Sequence, residues 1–313
     1  MSYTTKIKNE VIKITSTKSE TIALLSGFVR NNGYINDGIL HLTTENENIA
    51  EKIIHDFKDI YEIELKKEIK DSTNFSKNDL YLLSLIDKQD LILKDLGYYD
   101  ENNKYLETPP EYIVGANEEI RSYVRGVFLC CGSINDPKTS RYHMELLINS
   151  PTEAVFVQKL LNIFDLNIKI LTRDKGYMLY IKEAEKISDY LKIIGANNAV
   201  MYFEDIRIYR DKKNQANRLN NCEQANIDKV VGAATSQIKQ IEIIEENLGV
   251  SLLDDKTKEA LEYRKKYPEA SLKELSEIIT IETGKPITKS GLNHRFRKIK
   301  DLAMKFEKNK NVD

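Results

Sequence analysis

The residues best suited to binding chemistry lie near the end of the chain and are cationic. From Lys285 to Lys310 there are nine lysines and arginines against two acids, so nine minus two gives a local charge of +7, while the whole chain carries −2. A local cation on a nearly neutral protein attracts polyanions, nucleic acids above all. The simpler alternative is a solvated helix face, which is what many charge runs are.

The polar side chains of this segment suit different contacts. Ser290, Asn293 and Arg297 are three and four residues apart, so they share one side of a helix. Asn and Arg are suited to paired hydrogen bonds with adenine and guanine, respectively. The other positions suit phosphate contacts, which are independent of sequence and weaken with salt; they are Lys289, His294, Arg295 and Lys298. His294 has no neighbouring nucleophile or acid in a catalytic arrangement, so a surface or phosphate-facing role is expected rather than catalysis.

Two helices are predicted to position these side chains. Ser271 and Glu274 form an S-x-x-E capping box, which begins a helix that stops at Gly284, before Pro286. Thr288 is a good N-cap for a second helix. The apolar positions of that second helix are Leu292, Phe296, Ile299, Ala303 and Phe306. This order predicts a helix-turn-helix over about residues 271–306, whose second helix enters the major groove of DNA.

Two stretches about a hundred residues apart form a second informative pattern. Leu25–Gly33 reads LSGFVRNNG and Val124–Gly132 reads VRGVFLCCG. Both resemble the LAGLIDADG motif of homing endonucleases, in which an acid near the end of each helix holds Mg²⁺. That position is Asn32 in one copy and Cys131 in the other, and a neutral amide and a soft thiol are poor magnesium ligands. The pattern predicts the architecture of a DNA-cleaving enzyme without the groups that cleave.

Other positions of the two stretches agree with this interpretation. Gly27 and Gly126 stand where motif helices pack closely, and the second acidic position holds Arg30 in one copy and Leu129 in the other. No carboxylate within either stretch replaces the missing acids, so we expect no catalytic residues, no metal site and no cofactor. For one stretch alone, an apolar helix with a glycine C-cap is the simpler interpretation.

The surroundings of the two stretches repeat in register. An apolar alternation, a helical run, a second β-branched strand pattern and a strand leading into a glycine-ended helix follow each of them. In the first copy these are Ile39–Thr43, Ile49–Phe57, Ile60–Ile69 and Asp79–Gly97; in the second they are Met144–Ile148, Ala154–Phe164, Leu166–Leu171 and Gly176–Gly195. The order predicts an α+β protein with tandem αββαββα LAGLIDADG-like repeats and a separate all-α helix-turn-helix domain.

The predicted domains follow from this order: a first repeat at 1–118, a second at 119–205, a basic connector at 206–225 and a helical domain at 226–313. Within the last, helices are expected at Ile227–Leu248 and Lys256–Tyr267. The connector region is rich in Asn and lacks Gly and Pro, which favours a strand leading into a helix or an ordered connector. Its candidate DNA contacts are Arg210, Lys212, Lys213 and Arg218, and the alternative is a solvated hinge without a ligand.

Length and composition set the broad class. The chain of 313 residues suits two or three domains that each bury a core. The three cysteines, two of them adjacent, suit neither a disulfide framework nor a zinc site. The N-terminus is polar and no apolar run approaches eighteen residues, so a cytoplasmic protein without membrane contact is expected. Two fused repeats already form the interface that single-motif enzymes obtain by dimerising, which makes a monomer plausible.

Several long strings in one order resemble the WhiA family of bacterial sporulation and cell-division regulators. They are Tyr123–Leu147, Lys175–Ile187, Phe203–Asn226 and Ile287–Ile299. The resemblance spans nearly the whole chain and is weakest over residues 36–117. It implies a DNA-binding protein without nuclease activity that regulates transcription and affects division and chromosome segregation. Double-stranded DNA is then the expected ligand, with RNA polymerase or division proteins as further partners and the nucleoid as location.

Two interpretations from different classes stay open at this point. In the first, the helix-turn-helix binds specific DNA and the repeats add affinity through a saddle-shaped sheet surface, which makes a transcriptional regulator. In the second, the repeats form a protein-interaction scaffold, and weak, non-specific DNA binding serves division or nucleoid organisation. A third, an active nuclease, conflicts with the missing carboxylates.

Overall fold

The structure, a computed structural model, describes residues 1–70 and 79–310, with side chains to residue 307. It forms two compact units, Met1–Arg210 and Asp211–Asp313. After a short helix α1, the first unit begins its first repeat with α2. The elements are α1 (Tyr3–Val11), α2 (Lys18–Asn32), β1 (Tyr34–Asn36), β2 (Ile39–Thr44), α3 (Glu47–Tyr61), β3 (Lys66–Lys70), β4 (Leu80–Leu85) and α4 (Gln89–Asp95).

The second repeat has the same order of elements. These are α5 (Asn117–Cys131), β5 (Gly132–Ile134), β6 (Met144–Ile148), α6 (Pro151–Asn162), β7 (Lys169–Arg173), β8 (Gly176–Ile181) and α7 (Ala184–Ile193). Each repeat contains one four-stranded antiparallel sheet, ordered β1-β2-β4-β3 in the first and β5-β6-β8-β7 in the second. The predicted αββαββα order is confirmed in both repeats.

Two predicted strand starts were wrong. The pattern at Ile60–Ile69 predicts a strand, but α3 continues to Tyr61, Glu62 adopts a left-handed φ of 56°, and β3 begins only at Lys66. Leu166–Leu171 likewise begins in a loop, and β7 starts at Lys169. The apolar residues of these loops, such as Ile63, are buried without being in a strand, so periodicity alone placed the boundary too early.

The two motif helices, α2 and α5, pack along their lengths at the centre of the first unit. A Cβ on Gly27 would lie 2.3 Å from the Tyr123 carbonyl oxygen, and one on Gly126 would lie 2.1 Å from that of Leu24. Neither position has room for a side chain, so the glycines permit this approach of backbones. The predicted close packing is confirmed.

The glycines that end these helices act differently from a left-handed C-cap. Gly33 and Gly132 have φ of −70° and −87°, which any residue adopts. A Cβ on Gly132 would lie 2.1 Å from the Phe128 ring, and one on Gly33 would lie 2.7 Å from the Val29 carbonyl. Space rather than backbone conformation therefore requires glycine at both positions.

Helix α1 was not predicted, although its sequence contains its cap. The Ser2 hydroxyl accepts a hydrogen bond from the Thr5 amide, and Ile7 and Val11 are buried on one face. The Thr4 hydroxyl donates to the Ile134 carbonyl (2.9 Å) and accepts from the Ile134 amide (3.0 Å), which satisfies the edge of β5. Helix α1 thereby holds residues of the second repeat.

A single helix, α8 (Asn197–Asn247), begins in the first unit and ends in the second. The Glu10 carboxylate of α1 caps its start by accepting from the amides of Asn198 (2.6 Å) and Ala199 (3.1 Å). The strand predicted within the connector was wrong, because residues 206–225 are helical throughout. The helix expected at Ile227–Leu248 is the last part of α8.

Three shorter helices complete the second unit: α9 (Asp255–Lys266), α10 (Leu272–Thr283) and α11 (Lys289–Lys310). They surround a separate apolar core with the end of α8, which contributes Ile241 and Ile244. The separate all-α domain is confirmed, whereas the boundaries predicted at 118, 205 and 225 stay predictions.

Candidate DNA interface

The turn between α10 and α11 is fixed by side-chain and backbone hydrogen bonds. Ser271 and Glu274 form the predicted capping box, and α10 ends at Gly284 with a left-handed φ of 69°. The Thr280 hydroxyl then accepts from the Ile287 amide (3.1 Å), and the Thr288 hydroxyl accepts from the Gly291 amide (3.1 Å). The predicted start, stop and N-cap of the two helices are therefore confirmed.

The inner face of α11 anchors it to the core of the second unit. Leu292, Phe296, Ile299 and Ala303 are buried, as their spacing predicted. Arg264 of α9, only 1 % exposed, lies with its guanidinium 5.6 Å from the centre of the Phe296 ring. This arginine also donates to the carbonyls of Tyr267 (3.3 Å) and Ala270 (2.5 Å). Burial of these groups holds α11 in one orientation and determines which face is left to solvent.

The outer face of the first turns of α11 is polar and basic. Its exposed members are Lys289, Ser290, His294, Arg297 and Lys298, and Asn293 beside them is half-buried. Ser290, Asn293 and Arg297 lie on one side of the helix, as predicted. We call these six residues the α11 polar face. It offers hydrogen-bond donors and positive charge at the start of a helix that is fixed on its other side.

Two of the predicted phosphate-binding cations have partners within the second unit. Arg295 is half-buried and donates to the Glu259 carboxylate (2.5 Å) and the Lys256 carbonyl (3.1 Å). Lys298 is exposed and lies 3.8 Å from an oxygen of Asp254. An exposed ion pair contributes only about 0–1 kcal/mol, so Lys298 is easily available to a phosphate, whereas Arg295 is tied to α9.

The four candidate DNA contacts on α8 also include one residue with partners inside the fold and three exposed residues. Arg210 donates to the Ser140 carbonyl (3.0 Å) and lies over the Tyr142 ring, 5.3 Å from its centre. It therefore has a structural function in the first unit. Lys212, Lys213 and Arg218 are exposed on α8.

Asn32 and Cys131 stand at the ends of the two motif helices, at the positions that are acidic in the LAGLIDADG motif. The Asn32 amide donates to the Thr43 carbonyl (2.8 Å), and its carbonyl accepts from the Thr43 amide (2.7 Å). The Cys131 thiol donates to the Val127 carbonyl (3.1 Å). A hydrogen bond with the Cys130 thiol, together with burial, raises the pKa of Cys131 well above its usual range, so the sulfur stays protonated. Both side chains therefore form hydrogen bonds with backbone groups of the fold.

A lysine of α1 lies near the ends of the two motif helices. Lys8 of α1, Asn32, Leu129 and Cys130 line one cavity of about 1030 Å³ at the ends of the motif helices. The Lys8 ammonium is 5.7 Å from the centre of the Phe128 ring, and burial lowers its pKa. A cation from α1 therefore stands beside the position at which the motif would hold a metal.

Comparison with known proteins agrees with both units. The model of the WhiA N-terminal LAGLIDADG-like domain matches residues 18–99, that of the WhiA LAGLIDADG-like domain matches 120–213, and that of the WhiA C-terminal HTH domain matches 216–303. A probable cell division protein WhiA of Exiguobacterium sibiricum is 39% identical over 98% of this chain and 97% of its own length. The chain belongs to the WhiA family.

Other WhiA proteins share its extent and fold. A probable cell division protein WhiA of Bacillus cereus is 39% identical over 100% of this chain and 99% of its own. The crystal structure of full-length DUF199/WhiA from Thermatoga maritima is similar with a TM-score of 0.57 and 21% identity, covering 98% of this chain and 99% of that one. The tandem-repeat fold with a separate helical domain is therefore that of WhiA.

Sequence reasoning missed the charged residues that this WhiA chain buries within its described part, which are Asp56, Arg125, Glu153 and Arg264. The same reasoning missed Lys8, which is half-buried. Glu153 accepts from the Tyr123 hydroxyl (2.5 Å) and the Asn31 amide (3.2 Å). Burial raises the pKa of Glu153. No local signal identifies these residues, because charged residues in helices are usually exposed.

The second acidic positions of the WhiA motifs also have structural functions. Arg30 donates to the carbonyls of Gly97 and Leu106 and lies over the Tyr98 ring, 4.6 Å from its centre, while Leu129 is buried. In residues 1–70 and 79–310, no group of three or more histidines, cysteines or acids is placed to hold a metal ion. Over the same residues, we find no helix with the length and hydrophobicity needed to span a bilayer.

Proposed function

We propose that this chain is a non-enzymatic DNA-binding protein, a transcriptional regulator that acts in bacterial cell division and chromosome segregation. Double-stranded DNA binds at the α11 polar face, with help from the repeat unit. The observation that carries the proposal is the exposure of Ser290 and Arg297 on a helix whose opposite face is buried. The match to the WhiA helix-turn-helix model and the names of the relatives support it.

The α11 polar face separates specific from non-specific contacts. Arg297 suits a paired contact with guanine, which discriminates against a wrong base by about 1–3 kcal/mol. Lys298 suits a phosphate, and each phosphate contact adds about 0.9 to the slope of log K against log salt. The two neighbouring residues are both exposed, so their replacement tests the two functions separately.

The experiment compares Arg297→Ala and Lys298→Ala in the full chain, by fluorescence anisotropy on duplexes that the wild-type chain has selected and on random duplexes. We expect Arg297→Ala to lose affinity for the selected duplex only, and Lys298→Ala to lose affinity on both and to show a smaller salt slope. Lys192→Ala, at an exposed lysine of α7, is the control and should bind as the wild type does. A wild-type chain that selects no sequence would contradict promoter recognition.

The non-enzymatic part of the proposal has its own test. Supercoiled plasmid incubated with the purified chain and Mg²⁺ or Mn²⁺ should stay uncut, because Asn32 and Cys131 are hydrogen-bonded within the fold. Nicking that follows the protein through further purification would overturn this.

A second function, protein binding by the repeats, is favoured by one surface. Leu147, Met178 and Leu171 are paired across β6, β8 and β7, so their side chains form one row on the sheet. Leu147 and Leu171 are 40% and 42% exposed, and Met178 between them is 7% exposed. An apolar row suits a protein partner, such as RNA polymerase or a division protein, better than a phosphate backbone.

This second function is tested by Leu171→Glu. We expect it to leave binding to the selected duplex unchanged and to impair division in cells that carry it as their only copy. Wild-type division would remove the support for a partner on this row. We further propose a monomer located at the nucleoid in the cytoplasm, with domain boundaries near residues 118, 205 and 225.

A further inference from the structure

The middle of α8 is exposed on every side. All residues from 211 to 229 are exposed, over about five helical turns. No other described part of the second unit covers them. A helix that buries no face gains little from tertiary packing, so its composition reflects other requirements.

One side of this exposed helix carries a row of carboxamides. Asn214, Asn217, Asn221 and Gln224 follow each other at spacings of three, four and three, which places them on a single face. We call them the α8 carboxamide row. Gln224 donates to Asp228 (2.9 Å), whereas among the described residues the three asparagine side chains have no hydrogen-bond partner.

The three asparagines weaken the helix without an internal gain. Asn is less favourable than Ala in a helix interior by up to about 0.7 kcal/mol per residue. In an exposed helix, no burial offsets this cost. Their free donors and acceptors are therefore available to a ligand that presents both kinds of group along one line.

The charges beside the row determine what kind of ligand fits. Lys213 and Arg218 lie along its two sides, and from Lys212 to Arg218 there is no acid, while Asp211 precedes this stretch and Glu223 and Asp228 follow it. Along the stretch itself, a second copy of the same helix would bring like charges together, whereas a polyanion would be attracted. Carboxamides form paired hydrogen bonds with the exposed edge of adenine. A helix about 10–12 Å wide also fits the major groove, which is about 12 Å wide.

We propose that the α8 carboxamide row is a second base-reading surface, which contacts adenine-containing DNA in the major groove while Lys213 and Arg218 contact phosphates. The inference rests on the proposed function, since it extends the DNA site beyond α11. It predicts a recognised sequence with two separable parts, of which one depends on α11 and the other on α8.

The test uses the full chain with Asn214→Ala, Asn217→Ala and Asn221→Ala combined. Ala is the best helix former, so the unfolding temperature should stay the same or rise, which excludes misfolding as the cause of any loss. The matched control is Gln215→Ala with Asn226→Ala, which removes two exposed carboxamides from the opposite face of the same helix. Each protein selects duplexes from a random pool, and anisotropy measures affinity for the wild-type consensus.

We expect the row variant to bind the wild-type consensus at least about tenfold more weakly and to select a shorter consensus that lacks its adenines. The control should select as the wild type does. A row variant that selects the full consensus, while Arg297→Ala does not, would overturn the α8 site and leave the proposed function standing. Failure of the wild type itself to select any sequence would instead remove the proposed function. A change in oligomeric mass by light scattering would assign the row to self-association and also overturn the proposal.

Discussion

Replacement of Gly126 by alanine tests whether the close packing of α2 and α5 holds the repeat unit together. A Cβ at this position would lie 2.1 Å from the Leu24 carbonyl oxygen and 2.9 Å from the Phe28 amide nitrogen. Both are backbone atoms of α2, so no side-chain rotation relieves the overlap. The two helices would have to move apart.

The size of the effect follows from these distances. Ordinary contact begins near 3.4 Å, so the Leu24 contact alone requires an opening of 1.3 Å, the difference between 3.4 and 2.1 Å. Extra atoms in a well-packed core cost about 1–3 kcal/mol and occasionally more. Because the opening also separates buried residues such as Leu25 and Val127, we expect a loss of at least about 3 kcal/mol.

Urea unfolding followed by circular dichroism measures this loss, and hydrogen exchange with mass spectrometry locates it. Exchange should accelerate in peptides from α2 and α5. Gly232→Ala is the matched control, because a Cβ there meets nothing within 4 Å on exposed helix α8. It should stabilise by up to about 1 kcal/mol. If Gly126→Ala unfolds within 1 kcal/mol of the wild type, the close-packing argument is refuted.

Three further predictions concern buried or capping polar groups. Burial raises the pKa of Glu153 above its ordinary 4.5, so the folded chain holds more protons than the unfolded one and stability falls as pH rises from 4.5 towards neutrality; Glu153→Gln should flatten this dependence in urea titrations, and an unchanged slope would exclude Glu153 as its source. Asn32→Asp loses the donor to the Thr43 carbonyl and should cost about 1–3 kcal/mol in the same assay; equal stability would show that the bond contributes nothing. Glu10→Ala uncaps α8 and should cost about 0.5–2 kcal/mol with faster amide exchange at residues 198 and 199, whereas unchanged exchange would argue against capping.

The elements that could be predicted from the sequence are those fixed by residues close to them in the chain. The α10–α11 pair was predictable because Ser271, Glu274, Gly284 and Thr288 each act within four residues of themselves. The repeat order was predictable because a long apolar pattern recurs. The strand starts at β3 and β7 were not, because buried loop residues imitate the alternation of a strand.

Elements and contacts that depend on residues far away in the sequence could not be predicted. Helix α1 is held by two hydrogen bonds to distant parts of the chain. Thr4 donates to Ile134, 130 positions away, and Glu10 accepts from Asn198, 188 positions away. The site was predicted in part for the same reason. The polar face of α11 follows from periodicity, whereas the pairing of Arg295 with Glu259 depends on how α9 packs. The DNA contacts themselves stay predictions.

The hydrogen bonds of Asn32 bear on what it would take to build a metal site at the ends of the motif helices. An aspartate at this position would supply a metal ligand but lose the bond to the Thr43 carbonyl, so this first substitution is destabilising. An acid in place of Cys131 would add a charge at a half-buried position, and Lys8 would still bring its ammonium to the cavity at these helix ends. Each of these substitutions is therefore unfavourable on its own. A metal site at the ends of α2 and α5 would need several coordinated changes, of which Asn32→Asp alone already lowers stability.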